Sequence, residues 1–290
     1  MSEPDPSQVR LALPKGRIQP AVFALLSAAG IEVRTGARGY RPTLSLENYV
    51  AKIQKPQDIV KMLRHGSRDL GFAGRDWVTE KRADLVELLD TGLDPVKVVV
   101  AAPEGANPLE ASRGERLVIA TEYASLTADW IRRRDLDADV LETSGATEVF
   151  PPEDADLIVD NVATGNTLLA NRLVVIDEIL QSSTCLYASP ASLEIPWKRT
   201  AIEEFVLLLE AVLDARKRAM LELNVQRENL ERVVEALPSM RAPTISQLGE
   251  DAGFAVRAAV PRRELASIVP KLKSCGGTDI VVSTVEQLVS

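Results

Sequence analysis

Residues 156–168 read DLIVDNVATGNTL, an apolar strand-like run that ends in the acid Asp160 and then a short loop, Thr164-Gly165-Asn166-Thr167, that opens a helical pattern through residue 172. A strand feeding a short loop and then a helix is the repeating unit of an α/β protein. In such a turn the backbone N–H groups of the helix start converge with two threonine hydroxyls, which is a place that binds phosphate. The carboxylate at the strand end then stands about one sugar away, where it accepts hydrogen bonds from vicinal hydroxyls. The stretch suits a 5-phosphoribosyl group. The same residues also suit an ordinary strand-to-helix turn with Thr164 as N-cap.

The alternation continues on both sides. VRLALP (9–14) predicts a strand, PAVFALLSAAG (20–30) a helix ending at Gly30, PQDIVKMLRHG (56–66) a helix and DLGFAG (69–74) a strand. KVVVAAP (97–103) and RLVIATE (116–122) are continuous apolar runs of the kind buried on both faces of a parallel sheet. A helix over 126–136, a strand over 138–143 and a strand over 173–180 complete a region with mainly parallel sheets. Residues 199–218 form a long amphipathic connector, and from Ala219 the rhythm becomes β-α-β-β-α-β, a small ferredoxin-like domain over 219–290.

The 290 residues suffice for two or three domains, and 46% hydrophobic with 26% charged residues exclude a disordered or collagen-like chain. With 34 Lys plus Arg against 42 Asp plus Glu, the formal charge is −8, so no broad basic face exists for nucleic acid. The N-terminus, MSEPDPSQVR, has no basic and apolar signal pattern, and no apolar run approaches the ~20 residues that span a bilayer, so a cytoplasmic protein without membrane or nucleic-acid partners is expected. Cys185 and Cys275 read as free thiols, His65 as a solvent-facing or capping residue, and Arg132-Arg133-Arg134 as a solvated helix end.

Further candidate residues fall at strand ends. Lys15-Gly16-Arg17 follows the first strand, where two cations beside a glycine suit a polyphosphate, although a solvated basic loop has the same composition. Gly74, Arg75 and Asp76 close the next strand, Glu122 and Tyr123 follow RLVIAT, and Glu148 closes the SGATE segment at 144–148.

In this order the blocks LPKGR, KPQDI, DLGFAGRDW, RLVIATEY, SGATE and DLIVDNVATGNTLLANRL, with MRAPTI (240–245) and VPRREL beyond them, resemble the long form of the ATP phosphoribosyltransferase family over roughly residues 9–288. The resemblance implies two α/β lobes like a periplasmic binding protein, one from 1–98 with 182–218 and one from 99–181, plus an ACT-like regulatory domain at 219–290. It implies a glycosyltransferase that condenses ATP, through N1 of adenine, with 5-phosphoribosyl 1-pyrophosphate in the first step of histidine biosynthesis, with Mg²⁺ carried on the pyrophosphate and protein ligands to the metal unassigned. By position, Ala163, Thr164, Gly165, Asn166 and Thr167 would cradle the 5-phosphate and Asp160 the ribose, with Asp156 on the same strand. Lys15, Gly16, Arg17, Lys55, Gly74, Arg75, Asp76, Glu122, Tyr123 and Glu148 would complete the substrate site. No residue is assigned as acid or base; Lys15, Arg17 and Asp160 would position the reactants. The resemblance further implies dimers or hexamers, and feedback inhibition by histidine at Glu222 and Thr244, with Ala242 where a serine is frequent.

Three departures from the family pattern stand out: the short acidic segment VFPPED (149–154), Ala124 where a proline is frequent, and Lys55 where an arginine is usual. They leave room for a catalytically silent binding homologue, or for phosphoribosyl transfer to a different acceptor.

Overall fold

The structure, a computed structural model, describes residues 7–36, 39–106, 109, 116–239, 242–249 and 252–289. The first six residues, read above for a leader, and Met240 and Arg241 of the MRAPTI turn lie outside the described residues. Two compact units emerge: the first runs to Ala24 and from Ile31 to Glu203, and the second takes Leu25–Gly30 and the chain from Glu204 onward. The division falls inside the long connector.

The strands of the first unit are β1 (Val9–Pro14), β2 (Val33–Arg34), β3 (Thr43–Leu44), β4 (Tyr49–Gln54), β5 (Leu70–Gly74), β6 (Val86–Pro103), β7 (Leu117–Thr121), β8 (Ala138–Glu142), β9 (Leu157–Val162) and β10 (Leu173–Ala188). The helices, in chain order, are α1 (Gln19–Ala28), α2 (Pro56–Arg64), α3 (Arg75–Glu80), α4 (Ala124–Arg134), α5 (Asn166–Ala170), α6 (Pro190–Leu193) and α7 (Pro196–Arg216). Eight strands make one sheet in the order β4-β1-β5-β10-β6-β9-β7-β8. Each flank is a parallel trio, β4-β1-β5 and β9-β7-β8. Between them run β6 and β10, which are antiparallel to each other and to the neighbouring flank strands.

This corrects the reading of KVVVAAP as a strand of the parallel kind. Its partners on both sides are antiparallel, and the continuous apolar pattern comes from burial of both faces. Val98, Val100 and Ala102 pack with Trp130 and Tyr187, whereas Val99 and Ala101 pack with Ile158 and Leu168. Both central strands are also longer than expected, at 18 and 16 residues, because their polar stretches mask them from a hydrophobic pattern.

Polar side chains cap what the local sequence leaves uncapped. Tyr123, at the N-cap of α4, offers no side-chain bond, and the buried Glu80 at the end of α3 accepts instead from the Ser125 and Leu126 N–H groups at 3.1 and 3.0 Å. The carboxylate also suits the positive end of the helix dipole. At the other end of α4, Arg132 pairs with Asp129 and Arg134 with Asp177, as a solvated basic helix end does. His65 is the exposed C-cap residue of α2, and both cysteines are free.

In the second unit, β11 (Arg218–Val225), β12 (Thr244–Gln247), β13 (Phe254–Pro261) and β14 (Thr278–Thr284) form an antiparallel sheet ordered β12-β13-β11-β14, with α8 (Leu230–Ala236) after β11 and α9 (Leu265–Ser274) after β13. This is the expected β-α-β-β-α-β ferredoxin-like arrangement. Leu221, Leu223 and Val225 alternate inward against Val233, Val256 and Leu272. The alternate residues of β11, including Glu222, face away from that core. Among the described residues, no helix is long and apolar enough to cross a membrane.

Candidate active site

The strand ends β1, β5, β7 and β9 deliver their following loops to two cavities in the first unit. One is lined by Lys15, Arg17, Gly74, Asp76 and Glu122 together with Gln57, Trp77, Asp94, Asn161 and Ser182. The other, of about 390 Å³, is lined by Arg17, Glu122, Glu148, Asp160, Ala163, Thr164, Gly165 and Thr167 among others. Arg17, Glu122 and Asn161 belong to both, so the cavities adjoin. Many of the residues named from sequence lie in these walls, and the volume falls within the range of small-molecule sites.

The loop after β9 has the geometry its sequence implied. Gly165 is the N-cap of α5 with φ +80°, a left-handed conformation that costs glycine nothing and strains a β-substituted residue. Asn166 begins the helix but does not line the cavity, and Thr167 and Thr164 do. Asp160 accepts from the Thr147 hydroxyl and from the Asn161 N–H, the latter at 2.6 Å. Burial nevertheless pushes its carboxyl above the ordinary carboxylate range, the hydrogen bonds offsetting part of the rise and the Glu148 charge adding to it. Glu122 is raised as well, first by burial and then by the charge of Asp160, with Lys55 and Lys81 opposing.

Lys55 sits at the N-cap of α2 and lines neither cavity, but its charge reaches Glu122. Asp156 is at the opposite end of β9 from Asp160; its carboxylate accepts from the Val118 N–H at 2.8 Å, and it secures β9 to β7 without reaching the site. Tyr123 is fully buried rather than on the wall. Its ring stacks on Trp77 with centroids 4.6 Å apart, and its hydroxyl donates to Asp76 at 2.7 Å and accepts from Asn161 at 3.0 Å. Burial, reinforced by Asp76, pushes the phenol far above its usual range. Arg75 turns to Glu87 and Asp90 at 2.7 and 3.0 Å and lines a separate cavity with Asp90, Lys97 and Ala163. Two carboxylates already occupy its fork, so it is poorly disposed to a phosphate.

Asp76 is 4% exposed and also accepts from Ser182 at 2.7 Å. The chain Ser182–Asp76–Tyr123–Asn161–Asp160–Thr147 is thus a continuous hydrogen-bonded line along the cavities, joining β10, α3, the start of α4, β9 and the 3₁₀ turn at 147–149. Gly74 makes room for it: a Cβ there would lie 2.1 Å from Asp76 Oδ1.

Sequence reading missed Gln57 and Asp94. Asp94 Oδ2 and Gln57 Oε1 are buried acceptors with no hydrogen-bond partner among the described residues, and both residues line the Lys15 cavity. Asp94 adopts φ +46° and approaches Arg17 at 3.8 Å through its other oxygen. Unpaired buried acceptors are costly and point to a donor-bearing ligand. Only the left-handed turn at 91–95 hints at Asp94 in the sequence, and turn residues of that kind are common.

Comparison with known proteins shows the family. The family model described as ATP phosphoribosyltransferase matches residues 55–211, and the one described as the HisG C-terminal domain matches residues 215–287. An ATP phosphoribosyltransferase of Chlorobaculum parvum is 34% identical over 287 residues, covering 97% of both chains. One from Pelotomaculum thermopropionicum is 36% identical over 279 residues, covering 94% of this chain and 96% of that one. Among solved structures, the ATP phosphoribosyl transferase (HisG:HisZ) complex from Thermotoga maritima aligns with a TM-score of 0.64 at 27% identity, covering 71% of this chain and 99% of that chain. With near-full-length relatives above 30% identity and a family model that matches residues 55–211, more than half of the chain, the chain belongs to the ATP phosphoribosyltransferase family, the phosphoribosyltransferases of histidine biosynthesis.

Proposed function

We propose that the enzyme joins N1 of the adenine of ATP to C1 of 5-phosphoribosyl 1-pyrophosphate. The N1–C1 bond forms as the C1–O bond breaks, and pyrophosphate leaves with the bonding pair. The observation that carries this reading is the junction of two cavities with complementary chemistry. One has a left-handed glycine, threonines at a helix start and a strand-end acid for a phosphorylated sugar. The other has Lys15 and Arg17 for phosphates and the unpaired acceptors of Gln57 and Asp94 for a base bearing an exocyclic amine. Holding both reactants at a shared wall supplies most of what the displacement needs.

In this reading Thr164, Gly165 and Thr167 bind the 5-phosphate, Asp160 the ribose hydroxyls, and Lys15 and Arg17 the pyrophosphate. Mg²⁺ is part of the proposal. Among the described residues no group of three or more His, Cys, Asp or Glu gathers to hold a metal. One or two carboxylates with substrate phosphates is the usual way Mg²⁺ is held, and Asp160 and Glu148 face the cavity to supply them. When bound, the ion neutralises charge on the leaving pyrophosphate. The altered segment at 149–154 does not remove the site, since Thr147 still meets Asp160 and Glu148 still lines the cavity. Mixing the protein with ATP, phosphoribosyl pyrophosphate and Mg²⁺, with pyrophosphatase to draw the reaction forward, should raise the product's ultraviolet absorbance. No rise at any enzyme concentration would overturn the proposal.

The reading extends to a cytoplasmic enzyme with a two-lobed catalytic region, divided at 1–98 with 182–218 and at 99–181, and a regulatory domain at 219–290. Feedback inhibition by histidine is supported by one row of the second sheet. Glu222 is opposite Arg257 in the β11–β13 register and Thr244 is opposite the same Arg257 in the β12–β13 register. Glu222 and Arg257 pair at 2.9 Å. A free amino acid would find there a carboxylate, a guanidinium and a hydroxyl for its own opposite charges. Thr244→Ala is expected to weaken inhibition while leaving assembly and uninhibited turnover unchanged, against a typical coupling of about 1–3 kcal/mol. If histidine neither binds by calorimetry nor slows the parent enzyme, the domain serves another purpose.

Self-association into dimers or hexamers is the remaining element. Val281 and Val282 of β14 are 56% and 43% exposed, an apolar strand that association would cover. Light scattering should give a mass that is a multiple of 31.6 kDa. A monomer throughout the micromolar range, with and without ligands, would contradict this.

A further inference from the structure

A further cavity, of about 600 Å³ in the second unit, has no place in the reading above. Its lining is Arg216, Lys217, Arg218, Pro261, Arg262 and Arg263, five cations around one proline in a chain of net charge −8. They come from the end of α7, the start of β11 and the passage from β13 into α9. The backbone holds these segments in place, because Arg218 is paired in register with Pro261 and the Arg262 N–H donates to the Lys217 carbonyl at 2.9 Å.

Local neutralisation accounts for only part of this charge. Lys217 reaches Asp214 at 2.9 Å and Arg263 reaches Glu264 at 3.3 Å. Arg216, Arg218 and Arg262 make no ion pair among the described residues. Helix dipoles explain Arg216 and Lys217, which follow the negative end of α7, but they argue against the other pair. Arg262 and Arg263 occupy the 3₁₀ turn that leads into the ten-residue helix α9, the positive end of its dipole. The N-cap of the turn is Pro261 and that of α9 is Glu264, and neither contributes a side-chain bond to the first N–H groups. Cations gathered at an uncapped helix start repel one another and the dipole, and a multivalent anion reverses every one of those terms.

We propose that this cavity binds an oligophosphate group. Guanidinium forks match phosphate oxygens, and several arginines on three segments match a chain of phosphates better than a single one. The cavity is large enough to admit more than the phosphates, so the source is either free inorganic oligophosphate or the tail of a nucleotide.

The probe is inorganic tripolyphosphate titrated calorimetrically into the full chain and into the double variant Arg218→Ser/Arg262→Ser. The catalytic cleft also offers cations to this probe, so the readout is the number of sites. The variant should bind one fewer tripolyphosphate per chain while its turnover with saturating substrates stays unchanged. If it does not fold, the exposed single variant Arg262→Gln should weaken the same site at least tenfold. ATP then distinguishes the sources: equal affinity with tripolyphosphate at this site means that the phosphate chain alone is recognised, and tighter binding means that the nucleoside enters the cavity. An unchanged number of sites and unchanged affinity would overturn the proposal. So would a variant that loses self-association with no change in phosphate binding, because the cavity would then be receiving acidic side chains of a second copy.

Discussion

Replacing Asp69 by alanine should lower the stability of the first unit by about 3–5 kcal/mol, the usual cost of leaving buried partner charges uncompensated. Its side chain is 3% exposed and sits between Arg10, at 2.7 Å, and Lys198, at 2.9 Å and itself 8% exposed. The main chain adds to the junction, with the Asp69 carbonyl accepting from the Ser189 N–H and the Ser192 hydroxyl. For a unit of this size, each kcal/mol moves the thermal midpoint by about 2–4 °C, so a fall on the order of 6–20 °C is expected. Burial by itself would raise the Asp69 carboxyl, but hydrogen bonds from the Arg10 side chain and backbone and from Lys198 outweigh it, and the net direction is downward. A carboxylate depressed in the folded state stabilises above its unfolded value near pH 4 and loses that contribution as pH falls through the folded value. Calorimetric scans at pH 7 and below pH 4 should therefore show the parent losing stability on acidification and Asp69→Asn losing less. A midpoint within 2 °C of the parent at pH 7 for the alanine variant would refute the argument.

Thr167→Val should preserve folding and weaken phosphoribosyl pyrophosphate binding by about 1.5–3 kcal/mol, roughly 10- to 150-fold, through loss of a charge-assisted hydrogen bond. The side chain is exposed and lines the cavity at the start of α5 proposed for the 5-phosphate, so its removal leaves no void in the core. An unchanged dissociation constant by calorimetry would remove Thr167 from the phosphate loop. Asp160→Asn tests the neighbouring contact separately. In the amide form the remaining oxygen can still accept from the Asn161 N–H, while the NH2 that replaces the other oxygen can only donate to the Thr147 hydroxyl oxygen, so a loss of turnover without unfolding reports the missing charge and acceptor. Intact turnover and Michaelis constant would make the strand-end acid structural only.

Which parts of this architecture were legible follows from the range over which each signal acts. The β9–α5 turn was readable because its determinants are local: an apolar run, an acid, a glycine that tolerates φ +80° and threonines at a helix start all lie within thirteen residues. The second unit was readable for the same reason, since β11 alternates inward and outward with the period of a half-buried strand. The two central strands were only half seen. Val98 to Ala102 carry the apolar signature, but Val86–Pro95 and Gln181–Ser183 contribute polar residues to the same strands. Their antiparallel direction depends on partners 57 or more residues away, the smallest separation being Ala101 to Ile158.

At the site, the sequence by itself determined the chemistry available: a Thr-Gly-Asn-Thr loop after β9, a basic loop after β1 and acids at strand ends, all set by local backbone preference and residue type. It also determined the α/β character and the four-stranded second unit. Only the tertiary structure decided which of those groups share a cavity. It drew Tyr123 beneath the wall onto Asp76, turned Arg75 to Glu87 and Asp90, left Asp156 at the far end of its strand, and brought Gln57 and Asp94 forward with unpaired oxygens. The reason is physical. Each of these side chains obeys a balance between desolvation and a partner that is distant in sequence, and that balance exists only once the strands have packed.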